Sequence, residues 1–80
     1  MRLPRDVSGQ RLANALRVLG YAPTRQDGDH LRLTTQQNGE HHLTIPLHKS
    51  LRVGTLANIL SDVQAHFGLT RDELLERLTL

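Results

Sequence analysis

Two short segments of alternating hydrophobicity, residues 30–35 and 41–46, constrain the fold of this chain more than any other feature. A period of two is typical of strands that are buried on one face and exposed on the other. The intervening Gln-Gln-Asn-Gly-Glu is a turn signal. The two segments therefore predict a β-hairpin with one apolar and one polar face.

The register of this hairpin follows because residues paired across two strands lie on the same face. A two-residue Asn-Gly loop would set Leu33 opposite Thr44 and mix the faces. A three-residue loop over 37–39, with Gly39 left-handed, sets Leu33 opposite Leu43 instead. We predict this second register. It places five polar residues together on one face of the sheet: His30, Arg32, Thr34, His42 and Thr44.

The residues before the hairpin combine a helix signal with a weak strand signal. Ser8 is a favourable N-cap, leucines follow at helical spacing and Gly20 ends the pattern, which predicts a helix over about 9–19. Residues 21–26 contain Pro23, which has no N–H to donate to a neighbouring strand. They are therefore expected to form an edge strand at most.

Two helices are predicted after the hairpin. Five apolar residues at i, i+3, i+4, i+7 and i+11 predict a helix over about 55–67, which Gly68 ends. A Thr-Arg-Asp-Glu capping box begins a short helix over about 70–79. A two-layer α+β sandwich of order α-β-β-β-α, with this extra C-terminal helix, buries every apolar face at once.

The length of 80 residues predicts a single domain over 1–80. Its core is expected over about 8–67, followed by the C-terminal helix. The polar sheet face is then left to water or to a partner.

Composition excludes several classes of function. The chain has no cysteine, so disulfides, zinc–thiolate sites and thiol nucleophiles are excluded. Tyr21 and Phe67 are too few aromatic rings for a base-stacking platform. No apolar run approaches the ~20 residues of a membrane span, and no signal peptide opens the chain. We therefore expect a cytoplasmic protein with no membrane partner.

The charge is small in total and uneven along the chain. The formal net charge is +2, but residues 1–52 carry +4 and residues 53–80 carry −2. Nine arginines against one lysine suit the geometry of phosphate groups. The basic part could face a polyanion, or it could be an ordinary solvated surface.

Five histidines remain as candidates for chemistry, and they do not predict a metal site or any cofactor. His41 and His42 are adjacent in a strand and point to opposite faces, so regular strand geometry prevents them from chelating one metal. His30, His42 and His48 could converge only if the loop after Pro46 folds back.

His30 differs because it follows the turn Asp27-Gly28-Asp29 and begins a strand on the polar face. A histidine titrates near neutrality and can transfer protons. The alternative is an exposed side chain at a strand end with no chemical role.

Several short motifs, in this order and spacing, resemble the HicA family (YcfA-like proteins) of type II toxin–antitoxin mRNA interferases. The resemblance covers about residues 8–60. Its pieces are Leu19-Gly20-Tyr21, Arg25-Gln26, Gly28-Asp29-His30, Leu43-Thr44-Ile45-Pro46 with His48, and Gly54-Thr55-Leu56 before Ile59-Leu60. The resemblance implies a fold similar to a double-stranded-RNA-binding domain, metal-independent cleavage of mRNA and a HicB-type antitoxin as partner.

The resemblance also implies site residues. The family's catalytic histidine corresponds to His30, as general base on the 2′-hydroxyl or general acid on the leaving oxygen. We expect Arg32 to hold the phosphate and Gly28 to let the backbone approach the RNA. His42 and Lys49 are further candidates for RNA contact or for a second acid.

One position departs from the family pattern, because Asp29 stands where the family typically has Ser. A carboxylate there would favour the protonated form of His30 and repel phosphate, or it would orient the imidazole ring. The alternative function is a non-enzymatic RNA- or protein-binding module on the same fold.

Overall fold

The computed structural model describes residues 3–80, so the first two residues of the predicted domain lie outside the described part. Helices and strands follow one another as the sequence predicts. Their bounds are α1 Gly9–Ala15, a 3-10 helix Leu16–Leu19, β1 Ala22–Asp27, β2 His30–Thr35, β3 His41–Pro46, α2 Val53–Phe67 and α3 Arg71–Leu78.

The predicted α+β class is confirmed. The strands form an antiparallel sheet in the order β1-β2-β3, and α1 and α2 both pack against β3. Only one face of the sheet is buried, through Leu31, Leu33, Leu43 and Ile45. The opposite face is open along all three strands.

The predicted register of the second hairpin is confirmed pair by pair. Leu33 lies opposite Leu43, and Leu31 lies opposite Ile45. Gly39 has the expected positive φ, at +96°. The polar residues of β2 and β3 therefore share the open face.

The first strand lies at the edge of the sheet, as Pro23 predicts. The pairing of β1 with β2 shifts between Pro23 and Arg25, which leaves Thr24 in a bulge. Every residue of β1 is exposed.

The helix boundaries differ slightly from prediction. The first helix begins after Ser8, whose hydroxyl accepts from Arg11 N at 3.0 Å, and it tightens into the 3-10 turn before left-handed Gly20. The second helix begins at Val53, two residues early, because its exposed first turn carries no apolar periodicity. Within residues 3–80, no helix combines the length and apolarity needed to cross a bilayer.

The C-terminal helix α3 packs into the same hydrophobic core as α1, α2 and the sheet. Its Thr70–Glu73 capping box is formed. Leu74, Leu75 and Leu78 are buried in one cluster with leucines of α1 and α2. This helix therefore covers apolar surface and leaves the open sheet face untouched.

The loop over 47–52 is fixed by the N-terminal segment. Gly9 N donates to His48 O at 2.9 Å, and Leu51 N donates to Val7 O at 2.8 Å. A Cβ on Gly9 would lie 1.9 Å from Pro46 O, so only glycine allows this approach. The start of α1 thereby holds the loop against the end of β3.

Candidate functional site

The turn between β1 and β2 is a tight two-residue connection. Asp27 pairs with His30, and Gly28, the first turn residue, has a φ of +60°. A positive φ at this position suits glycine. Leu47 N donates to Asp29 O at 2.6 Å, which ties the turn to the loop after β3.

The side chain of Asp29 lies between two histidines. Its Oδ1 is 3.0 Å from His30 Nδ1, and its Oδ2 is 3.4 Å from His48 Nε2. All three side chains are more than half exposed. Within residues 3–80, neither Nε2 of His30 nor Nδ1 of His48 contacts another polar group, so each ring keeps one nitrogen for a ligand.

Two cations flank this cluster, and neither side chain forms a hydrogen bond or a close ion pair among the described residues, although the charge of Arg32 also acts on Glu40. Arg32 follows His30 on the same face, two residues and therefore about 7 Å further along β2. Lys49 is exposed and follows His48 directly in the loop. A Cβ on Gly28 would meet nothing within 4 Å, so the turn is open to an approaching molecule.

The structure does not bring His42 to His30. His42 Nδ1 contacts Thr34 Oγ1 at 2.8 Å, and its Nε2 lies 3.3 Å from Glu40 Oε2. His30 pairs with Pro46, four residues and about 13 Å along β3 from His42. The open face therefore has a histidine near each end.

The Glu40 carboxylate beside His42 is held in its charged form. The Gln36 amide, 3.1 Å away, and then the neighbouring His42 lower the pKa of Glu40. This end of the face therefore carries a negative charge.

His41 points to the opposite face, as its adjacency to His42 predicts, and joins a separate cluster with Tyr21 and Asp62. Since a carboxylate only accepts, His41 Nε2 donates to Asp62 Oδ1 at 3.1 Å. In the neutral ring, Nδ1 then accepts from the Tyr21 hydroxyl at 2.6 Å. Burial, and secondarily the charge of Asp62, raises the pKa of Tyr21 to about 12.

His66 completes this second cluster and fastens the hairpin loop to the end of α2. Its ring stacks on His41 with centroids 4.4 Å apart. Its Nε2 donates to Gln37 O and Gly39 O at 2.9 and 3.0 Å, and Asn38 donates back to His66 O at 2.7 Å. These partners identify a structural role.

Sequence reasoning named His48 only as part of a motif and as a histidine that could converge with His30 and His42, and it assigned His48 no catalytic role. The loop after Pro46 does fold back, and it brings His48 to Asp29 beside His30. His42 stays apart from them, in contact with Thr34. Two residues in the sequence point toward this arrangement: Pro46, which ends β3, and His48, which follows two residues later. Within residues 3–80 there is no group of three or more side chains arranged to hold a metal ion.

A family comparison covers most of this fold. The model of the family described as the HicA toxin of bacterial toxin–antitoxin systems matches residues 9–65, from the start of α1 almost to the end of α2. The chain therefore belongs to the HicA toxin family, which makes it the toxin component of a toxin–antitoxin system. No curated protein and no solved structure matches it significantly.

Proposed function

We propose that this HicA-family chain is a ribonuclease that cleaves mRNA without a metal, with His30 as a proton-transfer group. The observation that carries the proposal is the environment of His30. Its side chain is 57% exposed, its Nδ1 lies 3.0 Å from Asp29, and its Nε2 is free for a substrate. A held but accessible imidazole is what general acid–base catalysis requires.

The cations around His30 supply the phosphate contacts. Arg32 presents a planar guanidinium on the same face with no hydrogen-bond partner among the described residues, and this group suits two oxygens of a phosphate. Lys49 adds a point charge from the loop, and Gly28 lets the backbone come close. His42 lies further along the face, where it would contact a more distant part of the RNA strand.

The contacts of Asp29 favour the orienting role over the repelling one. Its two oxygens face two imidazoles, so a proton on either ring offsets its charge toward a phosphate. A carboxylate on Nδ1 also directs Nε2 of His30 outward, as acids do in other histidine sites.

A HicB-type antitoxin is the proposed protein partner, and it would cover the open sheet face. The exposed polar residues of that face, including Arg32 and Thr44, have no covering element within residues 3–80. Covering this face would also cover His30, so neutralisation of the toxin would follow directly from binding.

The test is incubation of the partner-free protein with a long unstructured mRNA in EDTA, followed by gels over time. We expect cleavage by wild type and a loss of about 10²–10⁴-fold in His30→Ala. Arg32→Ala should weaken RNA binding, whereas Arg17→Ala removes the same charge from an exposed position outside the site. Equal cleavage by His30→Ala and wild type would exclude the assignment.

The second candidate is an RNA- or protein-binding module without catalysis, and the observation that favours it is the carboxylate at position 29. The α-β-β-β-α order supports recognition of RNA by shape. Salt-sensitive RNA affinity without cleavage would identify such a module. Asp29→Ser restores the residue typical of the family, so cleavage gained by this variant would show a toxin inactivated at that position.

A further inference from the structure

We infer that His48 is the second proton-transfer group of the cleavage reaction and that Asp29 positions it together with His30. The inference rests on the proposed ribonuclease function and adds the partner that this reaction needs. Cleavage of a phosphodiester by a 2′-hydroxyl requires one group to accept a proton and another to donate one. His30 alone supplies only one of these at a time.

The position of His48 is determined by its backbone. Three hydrogen bonds fix the loop around it: Leu47 N to Asp29 O at 2.6 Å, Gly9 N to His48 O at 2.9 Å, and Leu51 N to Val7 O at 2.8 Å. The first of these joins the residue before His48 to the residue before His30. The two imidazoles therefore approach each other through the backbone as well as through the shared carboxylate.

The shared carboxylate suits a base and an acid in one site. A base must be neutral and an acid must be protonated, so the active pair carries a single positive charge. One carboxylate offsets one such charge, with Oδ1 near His30 and Oδ2 near His48. Each ring contacts Asp29 through one nitrogen and presents the other to the substrate.

The other candidates for a second proton-transfer group fit less well. His42 lies about 13 Å away along β3 and is occupied by Thr34 and Glu40. Lys49 is exposed and forms no hydrogen bond or ion pair with Asp29 among the described residues, so the shared carboxylate does not position it beside His30. His48 is the histidine that shares a contact with His30.

The reaction balances with these two groups. The neutral imidazole takes the proton of the 2′-hydroxyl while the 2′-oxygen forms a bond to phosphorus. The bond from phosphorus to the 5′-oxygen breaks, and the imidazolium gives that oxygen its proton. The products are a 2′,3′-cyclic phosphate and a 5′-hydroxyl, and the two imidazoles have exchanged protonation states.

The test compares His48→Gln and His30→Ala on two RNA substrates, in EDTA. One substrate is normal, and the other carries sulfur in place of the leaving 5′-oxygen. A thiol, with a pKa near 8.5, leaves without being protonated first, so this substrate needs a base but no acid. Ser50→Ala, an exposed change in the same loop, is the matched control, and thermal unfolding checks that each variant is folded.

We expect His48→Gln to lose about 10²–10⁴-fold on normal RNA, and one of the two histidine variants to regain most of its rate on the sulfur substrate. The variant that regains its rate lacks the acid, and the other lacks the base. The pH–rate profile of His48→Gln should keep only one of its two limbs. Asp29→Asn should shift both limbs, which loss of packing alone would not do.

Three outcomes would overturn the inference. Wild-type rates for His48→Gln on normal RNA would exclude His48 while leaving the ribonuclease assignment intact. Equal recovery of both variants on sulfur substrate, or recovery of neither, would exclude the pairing of one acid with one base. A wild-type protein that cleaves neither substrate would instead show that the proposed function itself is wrong.

Discussion

The two ends of the sheet use the same residue type for opposite purposes. At the end that carries the β1–β2 turn, His30 and His48 are more than half exposed, and each contacts Asp29 through one nitrogen. At the other end, the side chain of His41 is only 18% exposed, and both of its nitrogens have partners. His66 stacks on it and fastens the hairpin loop.

This difference separates a structural imidazole from a reactive one. An imidazole whose nitrogens are both bonded contributes to stability, because its removal leaves polar partners unpaired in a buried place. An imidazole with a free nitrogen in solvent contributes little to stability and can act on a substrate. The contrast predicts that the two ends respond oppositely to substitution.

The largest effect on stability is expected from Gly9→Ala, because Gly9 packs against the end of β3 and holds the loop that carries His48. The new Cβ would lie 1.9 Å from Pro46 O, and a backbone oxygen cannot move aside without displacing β3. We expect a loss of about 3 kcal/mol or more, measured by urea unfolding. The matched control is Gly54→Ala in α2, where a Cβ meets nothing within 4 Å.

Gly54→Ala should leave stability equal or raise it by about 0.5–1 kcal/mol, because alanine favours a helix. Equal stability of the two alanine variants would mean that the start of α1 does not press on the end of β3. The loop that holds His48 would then lack its proposed support.

Alkaline unfolding probes the buried end through Tyr21, which is 1% exposed and is the only tyrosine of the chain. Its folded-state pKa is raised from 10.0 to about 12. The associated stability is therefore present below pH 10 and lost as the pH rises through 12, by about 2–3 kcal/mol. Unfolding free energies of wild type and Tyr21→Phe at pH 9 and pH 12 measure this loss.

The absorbance of tyrosinate gives an independent reading, since the chain contains no tryptophan. Tyr21→Phe should lose about 1 kcal/mol at pH 9, with its hydrogen bond to His41, and fall less steeply than wild type above pH 10. A midpoint near pH 10 in folded wild type would contradict a buried hydroxyl.

The next effect is the difference in stability between the variants His41→Ala and His30→Ala. His41→Ala leaves the Tyr21 hydroxyl without its 2.6 Å partner and Asp62 without its 3.1 Å partner. We expect a cost of about 2 kcal/mol in the free energy of unfolding. His30→Ala should change it by less than about 0.5 kcal/mol, because its side chain is exposed.

Urea unfolding of both variants measures this contrast in stability. RNA cleavage should show the opposite order, with the larger loss in His30→Ala. A destabilised His30→Ala, or a His41→Ala as stable as wild type, would remove the distinction between the two ends.

Much of this architecture could be predicted from residue patterns that are local. The hairpin register followed from matching Leu33 with Leu43, because a pleated strand alternates faces whatever surrounds it. The edge position of β1 followed from Pro23, because a missing N–H is a property of one residue. The start of α2 at Val53 was missed because an exposed first turn shows no apolar spacing.

The two histidine clusters could not be predicted because they depend on tertiary contacts. His48 reaches Asp29 because backbone hydrogen bonds of Gly9 and Leu47 hold the loop, and the sequence offered this approach only on the condition that the loop after Pro46 folds back. His41 and His66 meet because the hairpin loop docks on the end of α2, 25 residues apart in the chain. Adjacency placed His41 opposite His42, but it did not identify the partners on that side.

The smallest effect concerns the acidic end of the open face. Hydrogen bonding from Gln36, and then the charge of His42, lowers the pKa of Glu40, so this carboxylate stays charged at and below neutral pH. A negative charge on a face that binds RNA opposes phosphate, and exposed charges act weakly. We expect Glu40→Gln to tighten RNA binding by about two- to five-fold at low salt.

Titration of labelled RNA at several salt concentrations measures this change, and the gain should shrink as salt screens the charge. Because the pKa of Glu40 is lowered, the gain should persist when the pH falls from 7 to 5. Glu76→Gln, an exposed change on α3 away from the face, is the matched control. An equal gain from both variants would show that RNA senses only total charge and that the open face is not where it binds.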